Sequence, residues 1–143
     1  MFSKEASKKM RQEFWTSFGK SYPRKWVRYH TGIKDLSLKF YFDTKKAMVS
    51  LDIEPADKEE RLLYFQKISA LKAIFTEEYV PHAVFLEDSL LDNGKEISRV
   101  YVEKTKVSIH NKDSWRETME FLNSCMLRFE AFFQEYKDYI KGV

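Results

Sequence analysis

Leu36-Ser37-Leu38-Lys39-Phe40-Tyr41-Phe42, a turn at Thr44–Lys45, and Ala47-Met48-Val49-Ser50-Leu51-Asp52-Ile53-Glu54 together decide the fold. Leu36, Leu38, Phe40 and Phe42 alternate with Ser37, Lys39, Tyr41 and Asp43, and Ala47, Val49, Leu51 and Ile53 continue the same rhythm. A period of two puts every apolar residue of a strand on one face. Two such runs joined by a short polar turn predict an antiparallel hairpin with one buried and one wet face. The wet face is expected to carry Lys39, Tyr41, Asp43, Ser50, Asp52 and Glu54, joined by Arg99, Tyr101 and Glu103.

Downstream, Pro55 ends the second strand, and Asp57 with Glu60 has capping-box spacing. A helix is expected from Lys58 to Glu78, with Leu62, Phe65, Ile68, Leu71 and Phe75 inward, ended by Pro81. Ala83 to Glu87 reads as a strand. Asn93–Gly94 reads as a two-residue hairpin turn in which both residues take positive φ. Ile97 to Glu103 is the return strand, and Val107 to Ile109 a further one. Ser114 and Glu117 repeat the capping-box spacing before a last helix that ends near Lys141. On it Trp115, Met119, Leu122, Met126, Phe129, Phe133, Tyr136 and Ile140 recur by alternating steps of four and three. That seam fits a coiled-coil homodimer or packing along the chain's own sheet. Its many aromatics are unlike a zipper of Leu and Ile and favour the second reading. Phe121, Cys125 and Phe132 widen the apolar face, which suits burial or a second subunit.

Upstream, Ser3 to Lys20 reads as a helix with an apolar stripe of Ala6, Met10, Phe14 and Phe18. Lys4, Lys8 and Arg11 make a second stripe that runs on to Trp15. Gly19 and Pro23 are expected to stop the helix, Trp26 to His30 to form a short strand, and Gly32 to turn the chain into the hairpin. The order is α-β-β-β-α-β-β-β-α. The fold expected is α+β, a single domain over residues 1–143, with an antiparallel sheet of five to six strands and three helices mainly on one face.

Composition narrows the function. Aromatics make up 16% of the 143 residues, which argues for a packed core rather than disorder. Cys125 is the only cysteine, so neither an intramolecular disulfide nor a multi-cysteine metal site can form. The charged N-terminus has no apolar run of a secretory signal, and no stretch approaches the roughly 18 apolar residues of a membrane span. The expectation is a soluble, cytoplasmic protein without membrane contact. His30, His82 and His110 follow no ligand spacing, and there is no Gly-rich phosphate loop, G-x-S-x-G or H-E-x-x-H. No catalytic residue, metal or cofactor is assigned on this basis.

Charge is unevenly distributed. Residues 1–34 hold nine basic residues against Glu5 and Glu13, a segment charge of +7, while the remainder carries −4. Such asymmetry points to a polyanionic partner or to docking of the segment on the chain's own acidic body. The cations are interleaved with Phe14, Trp15, Phe18, Tyr22, Trp26 and Tyr29, a mixture that suits single-stranded nucleic acid; the competing reading makes these rings core. Basic residues at a helix N-terminus oppose the macrodipole, so helix stability does not ask for them. The candidate ligand-binding residues are Lys4, Lys8, Arg11, Trp15, Arg24, Lys25 and Arg28, with Arg99 on its strand. A second possibility is a metal-dependent phosphodiesterase built from Asp43, Asp52, Glu54 and Lys39 or Lys45, since Asp43-Thr44-Lys45 fits a short nuclease D-x-K pattern. Solvated cross-strand ion pairs explain the same residues. A third is a structural homodimer on the last helix.

Four blocks carry a family resemblance: Phe14-Trp15-Thr16-Ser17-Phe18-Gly19, Trp26-Val27-Arg28-Tyr29-His30-Thr31-Gly32-Ile33-Lys34, Ile97-Ser98-Arg99-Val100-Tyr101 and Asn111-Lys112-Asp113-Ser114-Trp115. In this order, from about Arg11 to Tyr139, the chain resembles the bacterial domain-of-unknown-function family 4268. The resemblance implies an accessory module in a nucleic-acid context, because such domains often follow a nuclease-like domain. It implies no catalytic residues here.

Overall fold

The computed structural model describes residues 2–142, so Met1 and Val143, the ends of the expected 1–143 domain, lie outside the described residues. The deciding stretch folds as its alternation requires. β1 (Leu36–Phe42) and β2 (Lys46–Ile53) pair antiparallel, with Leu38 opposite Leu51 and Phe40 opposite Val49. The Asp43 carboxylate closes the turn by accepting from the Lys45 and Lys46 N–H groups at 2.7 and 2.9 Å. β4 (Glu96–Thr105) lies antiparallel along the other side of β2, and β3 (Val84–Leu90) forms the far edge, giving the order β1-β2-β4-β3.

The sheet thus has four strands among the described residues, not five or six. The segments expected as strands at Trp26–His30 and Val107–Ile109 are irregular. Each meets the sheet through one backbone bond: Leu38 N–H donates to the Arg28 carbonyl and Ile109 N–H to the Asp43 carbonyl, both at 2.9 Å. Arg28 has φ 47, which takes the chain out of the extended region and prevents a ladder. The Asn93–Gly94 turn also differs. Only Gly94 has positive φ, and Leu91 N–H donates to the Lys95 carbonyl, so an ordinary turn followed by a left-handed glycine joins β3 to β4.

Four helices flank the sheet. α1 (Lys4–Ser21) is capped by the Ser3 hydroxyl, passes through Gly19, and ends at Tyr22, whose backbone is forced out of the helical region by Pro23. The helix expected over Lys58–Glu78 breaks at Ala70–Leu71 into α2 (Lys58–Ser69) and a short α3 (Lys72–Ile74) that widens into a π-turn at Phe75–Tyr79. The Thr76 hydroxyl donates to the Lys72 carbonyl at 2.9 Å, a side-chain competitor of the kind that loosens a helix. α4 (Trp115–Lys141) follows a 3₁₀ turn at Lys112–Ser114 capped by Asn111, so the Ser114 hydroxyl does not cap α4 as expected but ties down the loop through Ser108 and Asn111 carbonyls.

One apolar core lies between the sheet and the helices. Leu38, Val49, Leu51, Val100 and Val102 meet Phe65 and Ile68 of α2 and the seam of α4, every seam residue of which is buried except half-buried Tyr136. The coiled-coil surface is therefore consumed inside the chain. Phe14 joins α1 to this core through Phe42 and Trp115, with ring centres 4.6 and 5.3 Å apart. No helix among the described residues is long and apolar enough to cross a membrane.

Candidate functional site

α1 lies beside the β1 edge, and its exposed side is where most of the candidate residues gather. Lys4, Lys8, Arg11 and Trp15 fall at steps of four, three and four, so they line one helical face. Lys8, Arg11 and Trp15 share the wall of a shallow depression. Trp15 is also a wall of a second, deeper cleft of about 460 Å³ between α1, the segment after it and β1. Phe40 is shared at the bottom of that cleft by Trp15 and Trp26, whose rings lie 6.1 and 5.3 Å from it, and Phe18 packs beneath at 5.2 Å. Arg24 and Arg28 stand at the rim. The aromatics of the basic segment thus divide between the two readings. Phe14 and Phe18 are core, Trp15, Tyr22 and Trp26 are half-buried on the cleft, and Tyr29 is 62% exposed.

The segment that forms the rim is held from α4. Glu130, only 5% exposed, accepts from an Arg24 guanidinium nitrogen at 2.8 Å and from the Val27 N–H at 2.7 Å. Arg24 is therefore a strut that also lies over the Trp26 ring at 5.3 Å, and not a free cation. Among the described residues, Lys4, Lys8, Arg11, Lys25 and Arg28 are exposed and have no carboxylate within 4.0 Å; Arg24 is the one basic residue before position 35 that does. Arg28 turns its guanidinium over Tyr29 at 5.5 Å.

Arg99 belongs to a different place. On the sheet face opposite the helices, Ser50 is 1% and Asp52 0% exposed. Long side chains roof them. Arg99 grips Asp52 with two hydrogen bonds of 2.7 and 2.9 Å, and Lys39 approaches Asp52 at 3.3 Å and Glu54 at 3.0 Å. The hydrogen bonds it donates to Asp52 keep the Arg99 guanidinium still more firmly protonated, and for Lys39 a burial cost that acts the other way is outweighed by the two carboxylates. The expected wet face carries cross-strand ion pairs, but the pairs at Asp52 are buried rather than solvated. The phosphodiesterase grouping does not assemble. Asp43 is engaged in the hairpin turn and by the Tyr41 hydroxyl at 2.7 Å, Asp52 is saturated by cations, and no three metal-ligating side chains converge among the described residues.

Arg61 escaped the sequence reading altogether. It is 2% exposed on α2, where its guanidinium donates to the Glu87 carbonyl and the Ser98 hydroxyl at 2.6 and 2.7 Å and to the Asp88 and Glu96 carboxylates at 3.0 and 2.8 Å. A register shift in β3 between Leu86 and Ser89 turns the Glu87 carbonyl toward it. The signal was present: Arg61, Phe65, Ile68 and Phe75 share one helical stripe, so the arginine sat on the buried face. Cys125 is half-buried, and burial pushes its thiol up to about 11, well above a reactive range.

A family model described as Domain of unknown function (DUF4268) matches residues 10–137. The chain belongs to the DUF4268 family. No curated protein and no solved structure matches it. The DUF4268 match takes in α1 from Met10 onward, the rim segment, the four strands described above and nearly all of α4, so the cleft, its Glu130 strut and the Arg99–Asp52 pair lie within the matched region, while Lys4 and Lys8 precede it.

Proposed function

We propose that this chain is a non-catalytic binding module whose ligand is a polyanion, with nucleic acid the leading candidate. The observation that carries the reading is the unneutralised basic surface of α1 and the segment after it, where Lys4, Lys8, Arg11, Lys25 and Arg28 are exposed with no carboxylate partner among the described residues. Cations that the fold does not pair are available to phosphates, and displacing counterions from a strand supplies the affinity. Two features support this reading over the chain's other charged layer. The Lys39–Asp52–Arg99–Glu54 cluster is internally compensated, and half-buried rings of Trp15 and Trp26 border the basic surface, as stacking platforms do in single-strand binders. Fluorescence anisotropy with labelled single- and double-stranded DNA and RNA at low ionic strength is the test. Saturable binding that weakens steeply with added salt is expected. Flat isotherms for all four ligands overturn the proposal.

A further inference from the structure

We infer that the cleft beside α1 receives one unstacked base of a single strand, while the Lys4–Lys8–Arg11 stripe carries its backbone. This rests on the polyanion reading above and adds to it a ligand class, a single strand with its bases, and a specific seat. Five observations converge on the cleft. Its volume, about 460 Å³, lies in the roughly 300–1,000 Å³ range of small-ligand sites. Its floor and walls are rings, Phe40 between Trp15 and Trp26, which offer faces for a planar heterocycle. Arg28 at the rim has no carboxylate partner among the described residues, so a phosphate attached to that heterocycle meets a cation.

The fourth feature is the open edge of β1. Even-numbered residues of this strand turn their backbone groups away from β2: Leu36 N–H donates to the Ile33 carbonyl and Leu38 N–H to the Arg28 carbonyl. The same alternation turns the N–H and C=O of Phe40 and Phe42, both of which line the cleft, away from β2, leaving them available to the polar rim of a base. The fifth is Gly19. It lies inside α1, where glycine costs about 0.5–1 kcal/mol relative to alanine. Nothing stands within 4 Å of where its Cβ would be, so no close approach requires it. Gly19 lines the cleft, and the open space around its Cα leaves room there for a ligand.

A heterocycle bearing a phosphate could be a free nucleotide or part of a strand. The cations along α1 lead away from the cleft past Trp15, which favours the strand. The test titrates the whole chain with a thymidine oligomer, an abasic deoxyribose-phosphate strand of equal length, and thymidine monophosphate. Thymine is chosen because it stacks weakly on its neighbours and presents both a donor and an acceptor. The wild-type chain is expected to bind the thymidine oligomer about tenfold more tightly than the abasic strand. Gly19→Leu, which adds a good helix former pointing into the cleft, is expected to erase that difference. Equal affinity of the wild type for both strands overturns the inference while leaving the polyanion reading intact, as does a Gly19→Leu chain that keeps the full preference. Monophosphate binding as tight as the oligomer overturns the strand and reassigns the cleft to free nucleotides. Flat isotherms for every ligand remove both readings together. If the variant does not fold, the comparison of the two strands on the wild type still decides.

Discussion

Arg28 holds φ 47, a left-handed conformation that costs an L-residue about 1–2 kcal/mol and that glycine adopts freely. Its carbonyl is pinned by Leu38 N–H, so the fold uses the bend, but among the described residues the guanidinium makes no hydrogen bond or ion pair and lies over exposed Tyr29. Strain kept at a residue whose side chain stands at the cleft rim separates stability from binding. Arg28→Gly is therefore expected to melt at the same temperature as the wild type or slightly higher in calorimetry, and to bind single strands several-fold more weakly in the same anisotropy titration. Tyr41 and Asp43 give a second residue-level prediction. The Tyr41 hydroxyl donates to Asp43 at 2.7 Å, and this bond first, with burial second, raises the phenol to about 12. Burial works against the Asp43 carboxylate, but that bond and the two backbone N–H groups of its turn outweigh it and hold its pKa below the usual value. The signs follow from linkage. The tyrosine's contribution is complete below its unfolded pKa near 10 and disappears as pH rises toward about 12. The aspartate's is complete above roughly 3.9 and disappears as pH falls through its lowered folded value. Asp43→Asn should bring the Tyr41 titration, followed by its ring carbon resonance, back toward 10.

At the scale of elements, the rim of the cleft depends on a residue from the far end of the chain. Glu130 on α4 satisfies Arg24 and the Val27 N–H at once, in a position that is almost dry. Glu130→Ala leaves the Val27 N–H without its partner and releases the 22–30 segment, and is expected to cost about 2–4 kcal/mol in urea denaturation while weakening oligonucleotide binding. Glu130→Gln keeps an acceptor for Val27 and should fall between. This dependence explains what could be read in the sequence. The β1–β2 hairpin, β4, α1 and α4 were legible because each carries its own period and buries the face that period defines. The stripe Lys4–Lys8–Arg11–Trp15 was legible for the same reason. The 22–35 segment was not: its conformation comes from Glu130, from the Arg28–Leu38 bond, and from Thr31, whose hydroxyl donates to the Ile33 and Leu36 carbonyls. A segment held by long-range single bonds has no period, so Trp26 to His30 looked like a strand. Gly19 and Pro23 were both expected to stop the helix, because glycine is a weak helix former; α1 runs through Gly19 to Ser21 before Pro23 ends it, and Gly19 lies on the wall of the cleft. The buried Asp52 was misjudged because alternation assigns it to the wet face and cannot foresee that Arg99 and Lys39 roof that face.

Over the whole molecule the question is whether the positive surface serves the fold or a ligand, and the two answers predict opposite stability effects. Lys4 begins α1, where the helix macrodipole disfavours a cation by a few tenths of a kcal/mol or more. Lys8 and Arg11 are exposed and without carboxylate partners among the described residues, so fold stability gains little from either. Replacing all three by glutamate is then expected to leave the denaturation midpoint unchanged or raised, within about 0.5 kcal/mol apart from the favourable macrodipole contribution. Binding should respond differently. If Lys4, Lys8, Arg11, Lys25 and Arg28 each neutralise one phosphate, the slope of log K against log salt for a single strand is about −3.5, at about −0.7 per contact. The triple variant retains Lys25 and Arg28, and its slope should shrink to about −1.4. A variant at least as stable as the wild type with less than half its salt dependence assigns those charges to the ligand. A variant that loses stability, or whose slope does not change, shows that they act within the fold or that the strand takes another path.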